Sequence, residues 1–238
     1  MRVCILGTGL TSLALTKALV NEKVYVDVFC SKYFHKKSQT RTIGISKKNI
    51  NFFNNYIKNI NKFIWKLKKI HIFSDNLKNE KLLDFKDDND QLFSIIENFK
   101  LYEILEKSLK KSKYFKKYKF KNNLNYFDKY NIVINTDHSN LITQKYFIKK
   151  IIKKYNSYAY SCIIDHQNIL NDTATQIFTK KGPLAFLPIS SKKTSIVYSI
   201  KNSKKIKDRT IIDLINHYNF KYKIRKINKI DTFELKSI

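Results

Sequence analysis

Gly7-Thr-Gly9-Leu10-Thr-Ser12 stands between a short apolar run, Arg2 to Leu6, and a helical pattern, Leu10 to Val20. Glycines in such a strand-to-helix turn let backbone N–H groups approach a pyrophosphate at the positive end of the helix, and a small third residue, here Ser12, keeps helix and strand close. The competing reading is a structural turn. An acid expected at the end of the second strand, to bind a ribose, is replaced by Cys30-Ser31; Ser31 is a weaker hydrogen-bonding substitute, and Asp27 lies inside the strand. Arg41 is one of only four arginines among 47 basic residues, so its retention suggests a need for guanidinium geometry, against the alternative of a solvated surface side chain. Asp137 closes the strand-like NIVIN and suits a helix N-cap before Leu141. His166 follows another strand and reads as a hydrogen-bonded structural residue or as an acid–base group.

The elements that must position these residues begin with a β-α-β unit, strand Arg2 to Leu6, helix Leu10 to Val20 and strand Val24 to Phe29. Ile50 to Trp65 reads as an amphipathic helix, with Trp65 as a packing aromatic at its end. A strand Lys69 to Phe73, a polar acidic loop Asp84 to Gln91, and a helix of about Asn98 to Lys110 follow. After NIVIN, Leu141 to Lys154 reads as a helix. The character then changes to short β-rich segments, Tyr158 to Asp165, Thr173 to Phe178, Ala185 to Pro188 and Thr194 to Ile200, which predict an antiparallel sheet. A helix near Arg209 to His217 and a strand from Tyr222 to Lys229 complete the pattern.

A chain of 238 residues with 43% hydrophobic content buries a substantial core, in one or two domains. The net charge of +28 invites a nucleic-acid or anionic-membrane reading. Lysine, asparagine and isoleucine dominate together, however, which is codon bias, and phosphate recognition favours the scarce arginine; nucleic-acid binding is disfavoured. Phe99 to Lys117, carrying Tyr102, Ile104, Leu105 and Leu109, offers either a basic amphipathic helix for a membrane surface or a solvated helix packed on one face. Cys4, Cys30 and Cys162 have no metal-ligand spacing with the five histidines and fit a reducing cytosol, and no metal is expected. Glycines early in Val3 to Leu15 argue against a secretory signal, and lysines interrupt every run that would cross a bilayer.

The segment Ala174 to Pro188, ATQIFTKKGPLAFLP, with VCILGTGLTSLAL at the N-terminus and RTIGIS at Arg41 to Ser46, resembles the flavin-dependent aromatic hydroxylases of ubiquinone biosynthesis in order and spacing. In that family an Ala-x-Glu/Gln-x-Phe-Thr-x-x-Gly-Pro-Leu-Ala-x-Leu-Pro segment lies in the substrate half of the fold. The resemblance implies an α/β protein of the para-hydroxybenzoate-hydroxylase type: a Rossmann-like FAD-binding domain with a GxGxxS turn, over 1–65 and 96–154. Interleaved with it is an antiparallel β-sheet substrate domain over 66–95 and 155–238. It implies FAD held by Gly7, Gly9, Leu10, Ser12 and Ser31, with Arg41 near the flavin. Asp137 resembles the acid of the family's Ala-Asp-Gly-x-x-Ser segment, with His138, Leu141 and Gln144 departing from that pattern. His166, Phe178, Gly182, Pro183 and Leu184 fall in the substrate region.

The resemblance further implies NAD(P)H as electron donor, dioxygen and a polyprenylated phenol as substrates, and a cytoplasmic protein working peripherally on the inner face of the membrane with other proteins of ubiquinone biosynthesis. The family's second flavin motif, Gly-Asp-Ala-Ala-His-x-x-x-Pro, and the helix after it do not occur here. Phe233-Glu-Leu235 resembles the Phe-Pro-Leu that precedes that motif, so the expectation is a C-terminally truncated member of doubtful activity. Two alternatives stand beside it: a degenerate non-catalytic remnant or binding subunit, and a basic membrane-surface or nucleic-acid binder.

Overall fold

The computed structural model describes residues 1–30, 38–75, 80–86, 91–119, 127–137, 141–146, 151–202 and 204–237. In chain order the elements are β1 (Arg2–Leu6), α1 (Leu10–Asn21), β2 (Tyr25–Cys30), β3 (Thr42–Ile45), α2 (Lys47–Phe52), β4 (Trp65–Leu67), β5 (Lys69–Ser74) and β6 (Lys81–Lys86). Then come β7 (Phe93–Glu97), α3 (Asn98–Lys110), β8 (Phe115–Lys119), β9 (Ile132–Asn135), α4 (Leu141–Tyr146) and β10 (Lys153–His166). The last are β11 (Thr173–Thr179), β12 (Gly182–Pro188), β13 (Lys193–Lys201), α5 (Asp208–Tyr218), β14 (Ile224–Ile227) and β15 (Asp231–Ser237). They form two compact units: Met1–Lys37, Lys48–Lys62 and Phe99–Lys150 in the first; Ser38–Lys47, Phe63–Asn98 and Ile151–Ile238 in the second.

The first unit is built on a four-stranded parallel sheet in the order β8-β2-β1-β9. Its inner strands read as near-continuous apolar runs, as strands covered on both faces must, and Val3, Cys4, Ile5, Leu6, Val26 and Val28 are all but inaccessible. Helix α1 buries Ser12, Leu13, Thr16 and Val20, the spacing of one helical face. Among the described residues, Asp27 is a charge buried inside this layer. Asp27 accepts hydrogen bonds from Arg2 Nε at 3.0 Å and Tyr130 Oη at 2.7 Å, and its ion pair to Arg2 Nη2 is 2.7 Å long. The three cysteines are buried free thiols, and desolvation pushes Cys4 and Cys162 up to about 12, which leaves both unreactive.

The second unit holds an eight-stranded sheet running β14-β10-β13-β12-β11-β5-β6, with β15 also paired to β10. All its pairings are antiparallel except β5 with β11. Alternation along the strands sorts its residues cleanly. Tyr160, Cys162, Ile164, Ile177, Leu184, Phe186, Ile196, Tyr198 and Ile200 face α5 and pack with its Ile211 and Ile215. The other face carries Ala159, Ser161 and Ile163 on β10, Ser195, Val197 and Ser199 on β13, Ala185 and Leu187 on β12, Gln176 and Phe178 on β11. A three-stranded antiparallel sheet, β3-β7-β4, packs Leu67, Ile95 and Trp65 against Ala174 and Leu187 at one end of that face.

Several expected elements differ. The helix expected over 50–65 ends at Phe52, passes through one π turn at Phe53–Ile57, and gives way to β4 at Trp65. Asparagines divert it: Asn54 Oδ1 accepts the Ile60 amide at 2.9 Å and its Nδ2 donates to Asn61 Oδ1 at 2.8 Å, competing with the helix ladder. Asp84 to Lys86, expected in a loop, lie in edge strand β6, where Asp84 faces His71 across the pair and bonds Lys81 at 2.6 Å. Of the helix expected over 141–154, α4 covers Leu141–Tyr146, 147–150 lie outside the described residues, and Lys153 and Lys154 belong to β10, paired with Ser237 and Lys236 of β15. Helix α3 ends at Lys110 rather than running to Lys117, and its Leu101, Tyr102, Leu105 and Leu109 are buried, so that face is spent on packing. Among the described residues no helix is long and apolar enough to cross a membrane.

The turn between β11 and β12 is constrained by backbone. Gly182 has φ +136°, and a β-carbon there would run into the carbonyl of Ser199 on β13. Replacing Gly182 by alanine is expected to cost about 2–4 kcal/mol, combining backbone strain with a clash against backbone. Urea unfolding of the variant against wild type checks this, and a change under about 0.5 kcal/mol would contradict the geometry.

Candidate functional site

The turn after β1 is built from the residues singled out at the N-terminus. Gly7 donates its N–H to Phe29 O at 2.9 Å and has φ +116°, a conformation glycine adopts freely. A β-carbon at Gly7 would collide with Thr136 Oγ1 and lie 3.4 Å from Asp137 Cβ. Ser12 Oγ is 2.6 Å from Thr136 Oγ1, and Thr136 Oγ1 donates to Leu6 O at 2.9 Å. Each hydroxyl has one proton, so Ser12 is the donor to Thr136. A serine at the third position of the turn therefore does more than fit: it ties α1 to the end of β9. Thr16 Oγ1 donates back to the Ser12 carbonyl at 2.7 Å within α1.

Gly9 is the N-cap of α1, with extended backbone and no capping side chain. It is exposed, a β-carbon there would meet nothing within 4 Å, and the first turn of the helix carries no acid. The amides of Leu10 and the residues after it begin the helix without intrahelical acceptors, so they present donors and positive potential to open space at the carboxyl edge of a parallel sheet. Asp137 stands beside this turn, its N–H donating to Asn135 Oδ1 at 3.0 Å and its carbonyl accepting from Thr143 Oγ1 at 3.2 Å. Gly7, Gly9, Leu10, Ser12 and Asp137 thus come together. Ser31 and His138 lie outside the described residues. Thr136 was not singled out in the sequence; a hydroxyl directly after NIVIN was its only signal.

Arg41 belongs to the second unit. Ser38 and Thr40 donate to Asp231 Oδ2 at 2.6 and 2.9 Å, Thr40 and Ser161 hydroxyls are 2.7 Å apart, and Thr42 donates to Ser195 Oγ at 3.1 Å. This ladder of alternate hydroxyls pins the segment to the sheet. Arg41, between them, is exposed, with Cζ 5.0 Å from the centroid of the Phe233 ring.

The residues of the substrate region divide between two faces of the large sheet. Phe178 is 45% exposed and pairs across the hairpin with Pro183, whereas Leu184 is fully buried in the core beneath α5. His166 is buried on that same side, its ring 4.5 Å from that of Tyr222. Its Nδ1 bonds Gln167 O at 2.7 Å, which requires the proton to be on Nδ1. Nε2 then accepts from Thr194 Oγ1 at 3.0 Å, and that hydroxyl in turn accepts from Asn171 Nδ2 at 3.0 Å. Tyr222 Oη completes the network by donating to Asn171 Oδ1 at 3.0 Å. Desolvation holds the imidazole below its ordinary range.

This geometry makes His166 a positioning residue for the end of β10. Its ring is expected to titrate below pH 6.5, with stability falling as pH drops beneath that value, because the unfolded chain binds a proton the folded network resists. Histidine NMR should show a protonated Nδ1, a bare Nε2 and a midpoint under 6.5; a midpoint above it would mean the network is open.

No family model matches the sequence, and no curated protein matches it. Solved structures do match. HpxO of Klebsiella pneumoniae, complexed with FAD and uric acid, superposes with a TM-score of 0.72 at 11% identity, covering 99% of this chain and 68% of that one. CtdE in complex with FAD and a substrate gives 0.67 at 13% identity, covering 92% of this chain and 63% of that one. PqsL of Pseudomonas aeruginosa in complex with 2-aminobenzoylacetate gives 0.66 at 10% identity, covering 91% and 63%. At these identities what is shared is the fold, and the chain has the mixed α/β, several-sheet fold of the FAD-dependent monooxygenases.

Proposed function

We propose that this chain binds FAD at the Gly7–Ser12 turn and belongs to a monooxygenase that hydroxylates an aromatic ring. The observation that carries the reading is the uncapped, acid-free N-terminus of α1, opened by Gly9 at the carboxyl edge of the parallel sheet. A pyrophosphate needs backbone donors, positive potential and no side chain in its way, and the turn supplies all three. Gly7, Gly9, Leu10 and Ser12 would hold the pyrophosphate end, and Asp137 stands next to them. Bound there, FAD supplies the redox chemistry by which one atom of dioxygen enters an electron-rich ring.

The chain's own contribution on the substrate side is the face of the large sheet turned away from α5. Val197, Ala185 and Gln176 follow one another across β13, β12 and β11 in a single register row, next to Ser161 of β10, which is covered by Thr40. Their small side chains make a flat floor, and Gln176 is half-buried with an amide able to bond a phenolic oxygen. The Ala174 to Pro188 segment, which resembles the ubiquinone hydroxylases, forms the hairpin β11–β12 of this floor, and this supports a polyprenylated phenol as substrate and NAD(P)H as donor. Arg41, pinned over Phe233, is assigned to the flavin by the same resemblance.

A titration with FAD, followed by quenching of its fluorescence, tests the reading. Wild type is expected to saturate. Gly9→Asp should weaken binding at least about tenfold by setting a carboxylate against the pyrophosphate, yet leave the fold intact because the position is open. Wild type that fails to quench, or Gly9→Asp that binds equally well, would remove the FAD assignment in favour of the non-catalytic remnant.

A further inference from the structure

At the opposite, amino-terminal edge of the parallel sheet lies a cavity of about 330 Å³ lined by Arg2, Tyr25, Asp27, Lys113, Tyr114 and Lys116. It opens where β1, β2 and β8 begin, whereas the glycine turn follows the end of β1. Its volume falls at the small end of the range of ligand sites. Its lining is chemically divided in three. The Tyr25 and Tyr114 rings meet edge to face, 4.9 Å between centroids, and Tyr25 is 51% exposed, so it offers a stacking surface. Lys113 and Lys116 are exposed and form no ion pair among the described residues. Asp27 has a side chain only 4% exposed.

The third element decides the ligand. Asp27 Oδ2 takes every donor that reaches the carboxylate among the described residues, two nitrogens of Arg2 and the hydroxyl of Tyr130, and Oδ1 takes none. That oxygen is solvent-accessible rather than sealed in the core, and Asp27 belongs to the cavity wall. A ligand with an N–H donor would satisfy it. Arg2 has engaged Nε and Nη2, leaving Nη1 to join the two lysines as a cation for an anionic group. An amine-bearing flat ring and an anion, joined within the compass of about 330 Å³, describe a nucleotide.

We propose that this cavity binds a free amino-bearing nucleoside monophosphate, its ring stacked on Tyr25, its exocyclic amine donating to Asp27 Oδ1 and its phosphate held by Lys113, Lys116 and Arg2. The site is separate from the glycine turn and does not depend on the FAD reading.

Calorimetry on the full chain at about 0.15 M salt tests this, a condition that screens non-specific attraction to a highly basic protein. Adenosine monophosphate is expected to bind one to one. Lys113→Gln with Lys116→Gln should weaken it about tenfold or more, and Tyr25→Ala several-fold; all three side chains are exposed, so the fold is expected to survive. Inosine monophosphate, which has a carbonyl in place of the amine, should bind at least about fivefold more weakly, because Oδ1 would then face an acceptor. Gly9→Asp should bind adenosine monophosphate as wild type does. The proposal is overturned if inorganic phosphate binds as tightly as the nucleotide, if the lysine pair can be replaced without effect, if inosine and adenosine monophosphates bind alike, or if Gly9→Asp abolishes binding and so moves the nucleotide to the glycine turn.

Discussion

In each of the two units the course of the chain is decided where a glycine at positive φ lies too close to a neighbouring strand for a β-carbon. Gly7 turns the chain out of β1 against Thr136, and Gly182 turns it into β12 against the carbonyl of Ser199. The sequence contains only four glycines, so these positions resisted a composition that elsewhere favours lysine, asparagine and isoleucine. At Gly7 the close approach does two things at once. It brings the end of β9 near enough for the Ser12–Thr136–Leu6 hydroxyl chain to lock the turn, and it directs the first amides of α1 outward, past the unobstructed Gly9. Side-chain chemistry braces the turn from behind, and Gly9 leaves open space in front of it.

The large sheet works by separation of faces. One face is filled with Tyr160, Tyr198, Phe186, Ile164 of β10, Ile196 and Ile200 of β13 and Ile211 and Ile215 of α5, and the His166–Asn171–Thr194–Tyr222 network closes its end. A buried polar network of this kind rigidifies the strands it joins when every member is satisfied. The opposite face has small or polar side chains at its middle, Val197, Ala185 and Gln176, with Ile163, Leu187 and Phe178 around them. Leu184 and Phe178, six residues apart and close across the hairpin, consequently serve different purposes: Leu184 holds the floor in place, and Phe178 lies on its exposed side.

Elements with strong local patterns were legible in the sequence. The β1-α1-β2 unit, α3, α5 and the strands β11 to β13 all fall where hydrophobic period and turn residues put them. Strands β3, β4, β7, β8 and β15 were not read, because they are short or lysine-rich and owe their existence to partners distant in the chain: β8 lies parallel to β2, and β15 runs along β10. The same holds for the site. The glycine turn announced itself through its own residues, but Thr136 acquires its role only by lying 130 residues from Leu6 in sequence and 2.9 Å from its carbonyl in space. Strand alternation contained the division of faces, yet which face α5 would cover depends on tertiary packing.

Arg2 shows how a basic chain still spends particular cations on particular tasks. Lysine in its place could put one ammonium near Asp27, but could not deliver two nitrogens to a single carboxylate oxygen while lying over the Tyr130 ring, where the guanidinium carbon is 5.6 Å from the centroid. Tyr130 adds its hydroxyl to that same oxygen, and desolvation raises its ionisation well above the ordinary tyrosine range, which keeps it a donor at every physiological pH. Among the described residues, every donor to the Asp27 carboxylate goes to one of its two oxygens. Were the pair there only to neutralise a buried charge, a guanidinium spread across both oxygens would do so with better geometry. The asymmetry belongs to a carboxylate that also lines the cavity at this edge of the sheet.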